Sequence, residues 1–82
     1  MNYQEILIEG SKILKFNNIK SFNLDSELLL SSTLKIDRSD LILNLEKKIK
    51  NNETRNFFDL IELFIKYFFA LSKTVLIFSI ST

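Results

Sequence analysis

The chain has 82 residues and a mass of 9.6 kDa, which is room for one domain and no more. Eleven Lys and Arg against ten Asp and Glu leave a net charge of +1, too small a field to gather nucleic acid or anionic lipid. The absence of Cys and His removes disulfides, thiol nucleophiles, imidazole bases and the common zinc and iron ligands. A single Gly and no Pro exclude glycine-rich phosphate loops and the tight turns of an all-β chain.

Asn2, three residues before Glu5, has the spacing of a capping box, so a first helix is predicted from there. Tyr3, Ile6, Leu7, Gly10, Ile13 and Leu14 recur at helical steps and form its inward face. Glu5, Glu9, Lys12 and Lys15 are left to water. Asn17 and Asn18 tolerate left-handed backbone and predict a stop near Phe16. A second helix is predicted over residues 23–34, capped by Ser21 or Asn23, with Leu24, Leu28 and Leu29 facing the core. Asp37 followed by Asp40 repeats the cap signal and opens a brief third helix over Leu41, Ile42 and Leu43, with an end at Leu43 or at Leu45. Residues 46–55 are polar apart from Ile49, and Asn51 and Asn52 predict a turn. Lys47, Lys48 and Lys50 sit between Glu46 and Glu53 without interleaved aromatics, which reads as a solvated loop and not as a nucleic-acid surface.

From Glu53 onward, Phe57, Ile61, Phe64, Phe68 and Leu71 fall on one helical face, widened by Phe58, Ile65 and Phe69. Arg55, Asp59, Glu62, Lys66 and Lys73 share the opposite stripe. This predicts a central helix running to about Lys73. Val75, Leu76, Ile77, Phe78 and Ile80 are β-prone, so the tail is expected as more helix or as a short strand. The expected fold is all-α, a small bundle of four to five helices over residues 1–73, followed by an apolar tail over 74–82. Residues 63–80 are apolar except for Lys66, Ser72, Lys73, Thr74 and Ser79, which raises a membrane anchor as an alternative. The two lysines on the polar stripe argue against it. A further alternative is self-association through an edge strand at Thr74 to Thr82. Nothing at the N-terminus reads as a signal peptide, so the expected location is the cytoplasm. The carboxylate pairs Asp37 with Asp40 and Asp59 with Glu62 are explained by capping and solvation before catalysis.

Leu7, Ile13, Leu14, Ile19 and Ser21, then the run Leu24, Asp25, Ser26, Glu27, Leu28, Leu29 and Leu30, resemble the opening of bacterial release factor glutamine methyltransferases, the PrmC/HemK family. Leu34, Asp37, Arg38 and Leu41 are similar to the family's next helix, and Phe57, Leu60, Ile61 and Glu62 to the start of its fourth. The resemblance covers about residues 3–62. It implies a helical domain that grips a peptide chain release factor ahead of a methyltransferase domain using S-adenosylmethionine. The family's cofactor-binding glycines and its Asn-Pro-Pro-Tyr glutamine pocket have no counterpart in a chain with one Gly and no Pro. Hence no catalytic, cofactor-binding or metal residue is expected here, and no activity from this chain alone. After Glu62 the family pattern has paired arginines and a Glu-Pro step, where this chain has Leu63, Phe64, Ile65 and Lys66. A truncation, a shifted reading frame, or a divergent or engineered end would each produce this departure from the family pattern. With the other faces committed to a core, the partner contact is expected on the polar stripes of the first two helices, including Glu9, Lys12 and Lys20.

Overall fold

The capping box forms as the spacing predicts and starts helix α1 (Tyr3–Phe16). The Glu5 amide donates to Asn2 Oδ1 at 2.8 Å, and the Asn2 amide donates to Glu5 Oε1 at 3.1 Å. A computed structural model describes the backbone of residues 1–81 and the side chains of residues 1–69. The other helices are α2 (Phe22–Leu34), α3 (Arg38–Leu43) and α4 (Asn51–Ser81), and the described residues hold no strand beyond an isolated bridge between Asn2 and Lys48. The protein is thus a small all-α bundle.

Helices α1 and α2 end in the same way. Asn18 (φ 63°) and Lys35 (φ 58°) take left-handed backbone, which turns the chain back over the last helical turn. The amide of the next residue then reaches a carbonyl five residues back: Ile19 donates to Leu14 O, and Ile36 to Ser31 O, each at 3.1 Å. The two isoleucines follow the chain inward, Ile19 fully into the core and Ile36 against its edge.

The core gathers Tyr3, Ile6 and Leu14 from α1, Leu30 from α2, Leu41 from α3, and Phe57 and Ile61 from α4, with Ile19 and Ile49 from the connections. Helix α2 packs against each of the other three, so it, and not the fourth helix, is the central element. Its buried face also differs from the expected one. Leu24 and Leu28 are 43% and 48% exposed, while Ser26 and Ser31 are buried. Leucines surround this helix, so apolarity alone selects no face; small residues go inward because α1 and α4 lie close there. Ser26 donates to Leu7 O at 3.1 Å and Ser31 to Glu27 O at 2.7 Å, so neither hydroxyl is left unsatisfied.

At the cap positions of α2 and α3 the expectation fails in detail. Ser21 donates to Asp25 Oδ2 at 2.6 Å instead of capping through its side chain, and Asp37 offers only its backbone oxygen, to the Leu41 amide. Of the apolar residues of α3, only Leu41 is buried; Ile42 and Leu43 are exposed. The connection from α3 to α4 is held by backbone. Tyr3 N–H donates to Lys47 O at 2.9 Å, Gln4 N–H to Leu45 O at 3.0 Å, and Ile49 N–H to Met1 O at 3.0 Å. Two otherwise free amides of the first turn of α1 are satisfied in this way.

Helix α4 outruns the bundle. Its 31 residues span about 46 Å against about 21 Å for α1, and the molecule measures 50 × 22 × 22 Å. Phe57 and Ile61 are buried and Phe64 and Ile65 half-buried, but Phe68, on the same face, is 40% exposed. Phe68 is therefore not the fully buried core position that periodicity suggests. Residues 75–81 belong to α4, which leaves no edge strand there; Thr82 and the Lys73 side chain lie outside what is described. Among the described residues no helix is long and apolar enough to cross a membrane.

The one glycine lies where three helices meet. A Cβ on Gly10 would sit 2.6 Å from Phe57 Cζ and 2.8 Å from Ser26 Oγ. Gly10→Ala gains about 1 kcal/mol of helix propensity but overpacks a ring with nowhere to move, at about 1–3 kcal/mol. The expected result is a lower urea midpoint for Gly10→Ala. Phe57→Ala should lose about 3–5 kcal/mol on the same measurement and Phe68→Ala less than about 1. Lys35→Gly should do the opposite. Removing the Cβ from an exposed left-handed residue is expected to raise stability by about 1 kcal/mol, read as a higher midpoint with an unchanged denaturant slope.

Candidate functional site

An open groove of about 470 Å³ runs along the outer side of α1 and α2. Leu7 and Ile8 from α1, Phe22 from α2 and Leu45 from the α3–α4 connection give it an apolar floor; Gln4, Ser11 and Asn23 add polar rims. These positions follow from helical spacing. Gln4, Leu7, Ile8, Ser11, Lys12 and Lys15 are the 3–4–7 series of one α1 face, next to the face that enters the core. At the α1–α2 turn lies a smaller depression of about 260 Å³. Ile19 and Lys20 line it, and it shares Lys15 and Phe22 with the groove.

The charged groups around this surface are paired unequally. Lys12 Nζ is 3.7 Å from Glu9 Oε1, one turn earlier on α1. Glu27 accepts from Arg38 Nε at 2.7 Å, a bridge that ties α2 to the start of α3. The Lys15 ammonium stands 5.5 Å over the Phe22 ring, where the negative face of the aromatic attracts it. Of the residues singled out from sequence, Lys12 and Lys20 line this continuous surface. Glu9 lies beside it and acts through Lys12. Lys15, Phe22 and Leu45 were missed. Lys15 was legible as part of the α1 polar stripe, while Leu45 arrives through the backbone clasp and leaves no local signal.

For chemistry the surface offers little. Among the described residues no three His, Cys, Asp or Glu come together as metal ligands. Asp37 and Asp40 are exposed at the start of α3, and exposed Glu62 faces Lys66 at 3.9 Å, so neither carboxylate pair forms a site.

The PrmC N-terminal domain family matches residues 5–67. The chain belongs to this family. The match reaches past Glu62 into the part of α4 where periodicity still holds but bundle contacts thin out. The domain is 40% identical over 63 residues to a release factor glutamine methyltransferase of Clostridium botulinum and 38% identical over 63 residues to one of Clostridium acetobutylicum. Each alignment covers 77% of this chain, which spans only 22% of the length of either relative. No solved structure matches it.

Because Lys15 and Lys20 are exposed and ion-paired to nothing among the described residues, reversing them tests the groove without disturbing the PrmC N-terminal fold. Lys15→Glu, which gives up the contact with Phe22 and puts a negative charge in the last turn of α1, should cost about 1 kcal/mol, and Lys20→Glu less than about 0.5 kcal/mol. Arg38→Ala should lose less than about 1 kcal/mol, since the Arg38 side chain is half exposed. Urea melts of the three variants check both statements.

Proposed function

We propose that this chain is a release-factor-binding domain that works in the cytoplasm alongside, and not as, a methyltransferase's catalytic part. The observation that carries the reading is the family match over residues 5–67, with 38–40% identity to proteins named release factor glutamine methyltransferase. The physical reading agrees: a well-packed bundle with an apolar groove and no reactive cluster is suited to holding a partner. The α1–α2 surface, with Lys12 and Lys20 on it and Glu9 beside it, is the proposed contact.

In this reading the chain binds no cofactor. S-adenosylmethionine would belong to the catalytic part of the relatives, and none of the 82 residues is assigned to it. Calorimetric titration of the full chain provides the test. A peptide chain release factor should give saturable, weak binding, in the micromolar range or above, because a domain that contributes one part of a larger grip holds only part of the affinity. S-adenosylmethionine should give no saturable heat, and mixing all three should transfer no methyl group. Saturable cofactor binding, or a release factor that does not bind at all, would falsify the proposal.

A further inference from the structure

The groove has a chemistry finer than its shape. Lys12 with Glu9 and Arg38 with Glu27 are balanced internally. Lys15 and Lys20 are not: among the described residues neither has a carboxylate within ion-pair distance, and Lys15 has only the Phe22 ring. Since Lys15 and Phe22 line both the groove and the adjoining depression, the two make one trough. It is apolar along Leu45, Ile8, Leu7 and Phe22, and it closes on two cations with no internal counter-charge.

We propose that this trough takes an amphipathic helix of a protein partner, with apolar side chains on the floor and carboxylates at the end lying over Lys15 and Lys20. The inference rests on the partner-binding reading above and names the chemistry of the segment held. A helix is the occupant because the walls are themselves helices, whose interior amides and carbonyls bond within each helix and offer no ladder to an extended strand. A partner helix supplies its own backbone bonds and needs only side-chain complementarity. The length agrees as well, because α1 is about 21 Å long and matches roughly four turns of a partner. Carboxylates at one end follow from charge complementarity, which fixes register and orientation more than it adds affinity.

The test uses the full chain and two labelled helical peptides of roughly 16 residues, enough to cover the trough. Both carry leucines at i, i+4, i+7 and i+11. One has three Glu at one end, and its twin has Lys in their place. Fluorescence anisotropy at low ionic strength should show the acidic peptide binding about tenfold more tightly than its twin. Lys15→Glu with Lys20→Glu should invert that preference, and the uncharged Ile8→Ser should weaken both peptides alike; circular dichroism confirms that each variant is folded. Equal binding of the two peptides, binding of neither, or a preference untouched by the double charge reversal overturns the inference. The release factor is titrated in parallel. If it binds the natural chain and the double variant equally, the trough is wrong and the partner reading stands. If it binds neither while the acidic peptide binds as described, the partner reading is wrong and the trough stands.

Discussion

The spacing of the whole bundle is set at Gly10, where the Phe57 ring occupies the volume that any side chain on α1 would need. Helix axes can approach closely only where one of them presents a small residue, and here α1 supplies Gly10 and α2 supplies Ser26 at the same crossing. With α1 drawn down onto Phe57, Ser26 comes within reach of the Leu7 carbonyl, and that hydrogen bond locks α1 to α2. The side chain of that same Leu7 then lies on the floor of the outer groove. Core and candidate site are thus the two sides of one helix whose height is fixed by a missing methyl group.

The packing gives the boundaries of the family match a physical meaning. From Tyr3 to Ile65 nearly every element end is tied, by a capping box, by left-handed turns closed by Ile19 and Ile36, or by the backbone clasp. Past Ile65 the inward face of α4 becomes more exposed, with Phe68 at 40%, and the match to the PrmC N-terminal domain stops at residue 67. Sequence similarity and bundle packing give out within a turn of each other. This is the behaviour of a domain whose sequence is constrained by mutual contact and not by helix formation alone.

Where the sequence was informative, the reason lies in how cleanly polarity is segregated. In α1 the helical spacing placed Tyr3, Ile6, Gly10 and Leu14 inward and residue type gave the Asn2 cap, although Ile13, expected on the same face, is 36% exposed and Ile8 and Phe16 face outward. In α2 the signal fails because Phe22, Leu24, Leu28, Leu29, Leu30 and Leu34 leave no polar side to exclude; burial is decided by the room available, which favours Ser26 and Ser31. The left-handed turn at Lys35 has no Gly or Asn to announce it. For α4, periodicity reports a helix and its inward face but not how deeply each residue on that face is buried, and so it overstated Phe68. Of the candidate surface, Lys12 stands on an exposed stripe of α1 and Lys20 in the exposed α1–α2 turn, not on a helix stripe as expected, and joining them to Leu45 requires a loop brought in from far along the chain.

That loop bears on how the domain is able to diverge. Residues 45–49 are attached to the N-terminal segment through main-chain amides and carbonyls, groups that almost every amino acid carries. Only Ile49 among them also enters the core as a side chain. Glu46, Lys47 and Lys48 are therefore nearly free to drift, since exchanging one for another leaves every anchoring bond in place. A segment of this kind keeps its position while losing its spelling. Relatives can share the third-to-fourth helix connection in space with no recognisable trace of it in their letters, and the informative letters are confined to the helices on either side.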